Sequence, residues 1–230
     1  MFRFTLLAES GNARRGRMET SHGSVETPAF MPVATQGSIK SLTHEQLETT
    51  GAQMLLANTY HLMLRPTAER VARLGGLHQF INWRRPILTD SGGFQVASLA
   101  ALRNITDEGV TFRSHLDGSA HQLTPERATQ IQEMLGSDIA MVLDECVLYP
   151  AERETASDAA RRSLDWAGRC LTVHQRTDQA LFGIVQGGVY TEIRQQNARA
   201  LVGLDFPGYG IGGLAVGEPP AMTREMTEVT

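Results

Sequence analysis

Residues 86–95 read Pro86-Ile87-Leu88-Thr89-Asp90-Ser91-Gly92-Gly93-Phe94-Gln95. The short apolar run after Pro86 predicts a buried strand, and it stops abruptly at Asp90 and Ser91. Gly92 and Gly93 then let the backbone turn tightly, or let a flat ligand lie close against it. A carboxylate at the carboxyl end of a buried strand is where α/β folds place their chemistry. A single such residue has a plainer reading, as a cap for the next helix or for the turn amides. The recurrence of the pattern along the chain decides between them.

Upstream, Met54-Leu55-Leu56-Ala57 ends in Asn58-Thr59-Tyr60-His61. Downstream, Ile139-Ala140-Met141-Val142-Leu143 ends in Asp144-Glu145-Cys146, and Leu181-Phe182-Gly183-Ile184-Val185 ends in Gln186-Gly187-Gly188. A strand over 209–214 carries Gly210, Gly212 and Gly213. Helical patterns lie between these runs: 43–50 with Thr43 as N-cap, 66–74, 124–135 with Thr124 as N-cap and Gly136 as stop, 155–174, 190–202 and 221–229. At the N-terminus, 2–7 and 24–33 read as strands joined by the loop Gly11-Asn12-Ala13-Arg14-Arg15-Gly16-Arg17. Between 97 and 122 the rhythm breaks, and the alternation over 110–116 with the turn signal Asp117-Gly118 predicts an inserted β-hairpin.

Continuous apolar strands alternating with helices predict a parallel sheet covered by helices. The expected fold is α/β, a (β/α)8 TIM-barrel type with about six of its eight units in the chain. The inserted hairpin and an N-terminal β-extension complete one incomplete barrel domain over 1–230. A doubly wound open sheet is the alternative, but no Gly-x-Gly-x-x-Gly turn follows the first strand.

The chain has 230 residues, 41% of them hydrophobic, enough for one sizeable core. A net charge of -4 excludes a basic, non-specific nucleic-acid binder, so any nucleic-acid contact is local. Cys146 and Cys170 have no metal-type spacing and form no disulfide framework. No leader signature or membrane-length apolar run is read, and a soluble, cytoplasmic protein is expected.

The polar strand ends form a pointed chemical set. Asp90 and Asp144 are acceptors; the Gln186 amide and glycine N–H groups are donors. A guanine-like edge offers N1–H and N2–H₂ beside the acceptor O6. A carboxylate can accept both donors while an amide or a glycine N–H serves O6, with Phe94 and Met141 as a stacking face. The same residues suit other polar ligands as well.

These motifs resemble a known family. The stretches 89–96, 182–187 and 212–218, Asp144-Glu145-Cys146 with Tyr149-Pro150-Ala151, and Glu26-Thr27-Pro28-Ala29-Phe30-Met31-Pro32-Val33 are similar to bacterial tRNA-guanine transglycosylase. So are 58–62 and 114–119. The resemblance implies a (β/α)8 barrel that exchanges guanine at the tRNA wobble position for 7-aminomethyl-7-deazaguanine, a step towards queuosine. It implies Asp90 as general acid/base, Ser91, Gly92, Gly93 and Phe94 as the pocket floor, and Asp144 on the N1–H and N2–H₂ edge. Gln186 and the Gly213 N–H are implied on O6, and the Leu214 carbonyl, steered by Glu218, on the aminomethyl group. Family members act as homodimers.

The departures are as specific. Family members carry a second, nucleophilic aspartate on a later strand and a Cys-x-Cys-x-x-Cys plus His zinc site in a C-terminal subdomain. No aspartate here sits in a motif matching the nucleophile, and two cysteines do not make that site, so no metal or other cofactor is expected in this chain. The expected protein is therefore a transglycosylase with little turnover by itself. A non-catalytic guanine- or deazaguanine-binding fragment or partner subunit is the alternative. A metal-dependent barrel hydrolase using His61, Asp90, Asp144 and Glu145 is a third reading.

Overall fold

A computed structural model describes residues 2–99 and 103–230. In chain order the strands are β1 Arg3–Ser10, β2 Ala13–Thr20, β3 Gly23–Thr27, β4 Val33–Ala34, β5 Leu55–Ala57, β6 Ile87–Thr89, β7 Arg103–Thr106, β8 Gly109–Arg113, β9 Ala120–Leu123, β10 Ile139–Met141, β11 Ala180–Val185 and β12 Tyr209–Ile211. The helices are α1 His44–Thr49, α2 Thr59–Leu64, α3 Ala68–Arg73, α4 Leu77–Phe80, α5 Gly93–Leu99, α6 Pro125–Leu135, α7 Arg153–Val173, α8 Thr191–Val202 and α9 Pro220–Val229. The protein is thus a mixed α/β chain with parallel strands and covering helices. Its residues fall into two compact units.

The first unit runs to Asp90 and includes Gln130–Ala140 and Gln175–Ala180. Strands β4, β5, β6 and β10 pair side by side in parallel, with Leu56 opposite both Val33 and Leu88, and Ile139 opposite Leu88. Leu55, Ala57, Ile87 and Ile139 are buried, as expected of strands covered on both faces. Thr89 is buried with them, its hydroxyl within 3.0 Å of Gln132 and 2.8 Å of Ser137. Helix α1 opens with a capping box: Gln46 N–H donates to the Thr43 hydroxyl and Thr43 N–H to the Gln46 side chain.

The N-terminal extension is an antiparallel sheet in the order β1-β2-β3. The arginine-rich stretch expected as a loop is its central strand, β2. No apolar run marks it, because cross-strand pairing holds it instead. Arg17 lies opposite Glu26 and ion-pairs with it at 2.5 Å. At Gly16 the Phe4 ring lies across the backbone, and an added Cβ would come within 2.4 Å of it. The strand expected over 24–33 is interrupted after Thr27, where Pro28 supplies no N–H for a ladder.

The second unit holds Ser91–Thr129, Met141–His174 and Leu181–Thr230. Its insertion differs from the expected hairpin: β7, β8 and β9 form a three-stranded antiparallel sheet with β8 in the centre. The additional turn, Asp107-Glu108, is fastened to α7. Trp166 Nε1 donates to the Asp107 carbonyl at 2.7 Å, and Arg169 donates to the same oxygen at 2.9 Å. Along α7, Ala156, Ala160, Ser163, Ala167 and Cys170 form one buried stripe at helical spacing. Ala156 and Ala160 pack against Ile193 of α8. Strand β11 pairs in parallel with β12, Val185 opposite Ile211, and Val142 N–H donates to the Phe182 carbonyl at 3.0 Å. Among the described residues no helix is long and apolar enough to cross a membrane.

Candidate functional site

In the first unit, the carboxyl ends of β5 and β6 meet around Asp90. Its backbone N–H donates to the Ala57 carbonyl at 3.1 Å, continuing the ladder. Thr59 N–H donates to Asp90 Oδ1 at 2.9 Å, and the Asn58 side-chain amide donates to Oδ2. The Thr59 hydroxyl donates to the Asp90 carbonyl at 2.5 Å. Two strand ends therefore orient one carboxylate.

In the second unit, the ends of the other strands converge on Asp144. Oδ1 accepts from the Ser91 hydroxyl at 2.8 Å and Oδ2 from the Gln186 side-chain amide at 2.6 Å. The residue is buried. Burial pushes its carboxyl pKa upward, and the Ser91 and Gln186 hydrogen bonds only partly oppose that. Gly93 is required here, since an added Cβ would stand 2.4 Å from the Asp144 carbonyl oxygen. Gln186 is held from behind: its N–H donates to Asn197 Oδ1 at 2.9 Å, and Asn197 Nδ2 donates to the Ala160 carbonyl at 2.9 Å. Glu145, the next residue, faces Arg162 of α7 in an ion pair. Phe94, in the first turn of α5, is half-exposed, while Met141 is buried.

The glycine-rich end of β12 completes this group. Gly212 N–H donates to the Val185 carbonyl at 2.9 Å. Gly213 turns the chain at φ 65°, and an added Cβ would sit 2.4 Å from the Gln186 side-chain oxygen. Glu218 folds back over the turn. Its carboxylate accepts from Ala215 N–H at 2.5 Å, Val216 N–H at 2.9 Å and the Thr223 hydroxyl at 2.6 Å. Burial works to raise its pKa, but the Thr223 and backbone donors outweigh it and hold the value down to about 2. Because the Ala215 N–H belongs to the Leu214–Ala215 peptide, Glu218 fixes the plane in which the Leu214 carbonyl points. A cleft lined by Tyr149, Gly188, Tyr190, Gly213, Val216 and Glu218 opens here.

Two further buried groups carry no signal in the sequence. Arg194, on α8, is fully buried. Its guanidinium donates to the Gly188 and Gly212 carbonyls, each at 3.1 Å, and to the Thr230 hydroxyl at 2.7 Å. Burial pulls its pKa down to about 10, so it stays charged at neutral pH. In the first unit, Asp138 is clasped by His22 Nδ1 at 2.9 Å and His78 Nε2 at 3.0 Å, as well as by the His22 and Ile87 backbone N–H groups.

Both cysteines are free and buried. Cys170 Sγ lies 3.5 Å from both the Leu143 N–H and the Pro125 carbonyl, and burial pushes its pKa up to about 11. Cys146 is likewise buried, and burial raises it to about 12. Among the described residues, His22, His78 and Asp138 are near enough to share an ion. Their imidazoles, however, are stacked 3.5 Å apart at 14°. Nearly parallel rings cannot both aim an in-plane lone pair at one ion, whereas both can donate N–H to one carboxylate. No zinc chemistry is assigned to these residues, and the group omits His61, Asp90, Asp144 and Glu145 of the hydrolase reading.

The strand ends of this α/β protein thus present a buried carboxylate, Asp144, beside the Gln186 amide and the glycine turn at Gly213. The particular family follows from sequence comparison. The family model described as queuine tRNA-ribosyltransferase matches residues 9–230. The queuine tRNA-ribosyltransferase of Moorella thermoacetica is 57% identical over 227 residues, 98% of this chain and 61% of that protein. Those of Rhizobium meliloti and Cereibacter sphaeroides are 55% and 58% identical, over 100% and 94% of this chain and 61% and 58% of theirs. The chain belongs to the queuine tRNA-ribosyltransferase family. It spans about three-fifths of the length of these relatives.

Proposed function

We propose that this chain carries the base-binding pocket of a cytoplasmic tRNA-guanine transglycosylase, an enzyme that exchanges guanine in tRNA for 7-aminomethyl-7-deazaguanine. The architecture proposed is the (β/α)8 barrel in one domain, with tRNA as the polynucleotide substrate and a homodimer as the assembly. The observation that carries the reading is the arrangement around Asp144. Its carboxylate is buried and raised in pKa, its donors are the neutral Ser91 and Gln186 side chains, and the glycine turn at Gly213 adjoins Gln186. Asp144 accepts N1–H and N2–H₂ of the purine; Gln186 and the Gly213 N–H donate to O6. The Leu214 carbonyl, steered by Glu218, accepts from the aminomethyl group. Ser91, Gly92 and Gly93 leave room for the ring, and Phe94 stacks on it. Asp90, peptide-bonded to Ser91, serves as the general acid/base during exchange.

Calorimetric titration of guanine and 7-aminomethyl-7-deazaguanine into the chain tests this. Binding of both is expected, with loss of at least about a hundredfold in Asp144→Ala, because a buried site for two donors is left without its acceptor. Equal binding by the folded Asp144→Ala variant, or none by the folded wild type, overturns the assignment.

A further inference from the structure

We propose that Arg194 is a positioning residue for purine recognition: through the Gly212 carbonyl it holds the Gly212–Gly213 peptide so that the Gly213 N–H is presented to O6 of the base. The inference rests on the base-binding reading above and adds to it the device that sets the O6 donor. Three observations lead there.

The first is an unusual guanidinium. Arg194 is fully buried and, among the described residues, hydrogen-bonds to no carboxylate, Glu218 acting on it only through its field. Its donors go to backbone carbonyls of two glycine-rich loops, Gly188 and Gly212, and Gly212 is met by both terminal nitrogens. A buried charge spent on fixing loop backbone costs stability, and such a cost is kept where loop geometry is used.

The second is peptide geometry. In a trans peptide the C=O and the following N–H point in opposite directions. With the Gly212 carbonyl tied to Arg194 on one side, the Gly213 N–H is turned to the other. Gly213 is buried, and among the described residues its N–H has no protein acceptor. Buried backbone N–H groups are almost always paired, so this one is a donor awaiting a ligand.

The third is the helix that carries Arg194. Asn197, three residues on and therefore on the same face of α8, receives the Gln186 backbone N–H. One helical face thus anchors the backbone behind both proposed O6 donors. The guanidinium also polarises the peptide it grips, since hydrogen bonds in a chain strengthen one another in a low-dielectric setting.

The test compares guanine with 6-thioguanine, which keeps N1–H and the 2-amino group but replaces O6 by sulfur, a weak acceptor. Arg194→Met should weaken guanine binding about tenfold and 6-thioguanine binding less than about twofold, with Arg194→Lys between the two. An equal loss for both purines means that Arg194 only supports the fold, and overturns the inference. A second measurement needs no variant: in the nitrogen-15 spectrum of the wild type, guanine should shift the Gly213 amide and slow its hydrogen exchange, and 6-thioguanine should do so less. A silent Gly213 amide while other pocket resonances move overturns the inference and leaves the pocket standing. Absence of any guanine binding by the folded wild type removes the base-binding reading, and this inference with it.

Discussion

Asp138 and Asp144 flank the same short strand, β10, and burial treats them oppositely. Asp138 stands before the strand and has all its acceptor capacity filled, by two imidazoles and two backbone N–H groups. Burial works to raise its pKa, but His78, the Ile87 N–H and His22 prevail and hold it at about 2. Asp144 stands after the strand with two neutral side-chain donors, and there burial prevails and the pKa rises. A saturated buried carboxylate is a fastener. One whose donors do not offset its burial is what the proposed purine site uses, and the same physics distinguishes the amino end of this strand from its carboxyl end.

The comparison breaks most visibly at Asp138. Asp138→Ala strands four donors, and chemical unfolding should show a loss of about 4 kcal/mol. A loss under about 1 kcal/mol would mean that water replaces the carboxylate freely. The pH dependence of stability sharpens the contrast. An unfolded aspartate near 3.8 takes its proton before folded Asp138 does at about 2, so the unfolded state binds more protons in that window. Asp138 should therefore contribute about 2 kcal/mol above pH 4 that is lost as pH falls towards 2. Asp144 has the opposite sign. Its folded form holds the proton longer than the unfolded chain, so its term erodes stability as pH rises above 3.8. Unfolding curves of each Asn variant against wild type, taken across this range, should diverge in opposite directions. The smallest effect is at neutral pH, where Asp144→Asn removes a carboxyl whose charged form burial disfavours and should raise stability by about 1 kcal/mol; a loss of that size would show the carboxylate to be a fastener too.

The same contrast describes what the sequence made legible. Strands β5, β6, β10 and β11 are apolar runs with polar ends, so both the strands and Asp90, Asp144 and Gln186 could be read from composition and order. The capped helices α1 and α6 announced themselves through Thr43 and Thr124. Strand β2 did not, because its arginines are held by Glu26 across the sheet and no apolar alternation records that. Helix α2 starts inside the polar tail of β5, and its N-cap, Asn58, spends its side chain on Asp90 instead of on the helix. Asp138 was illegible for a different reason. Its histidines lie 116 and 60 residues away, and only tertiary structure assembles them. Arg194 looks like any charged residue of an amphipathic helix. The one local hint is that two glycine-rich loops close to it in sequence leave carbonyls in need of donors.

Both native thiols lie under the surface with pKa values near 12 and 11, far from the thiolate form at neutral pH. Alkylating and maleimide reagents should therefore pass the folded chain by. Leu148→Cys, exposed at the cleft that Tyr149 and Gly213 also line, would give the chain a single addressable sulfur, and a dye attached there would test the proposed purine binding through a change in emission.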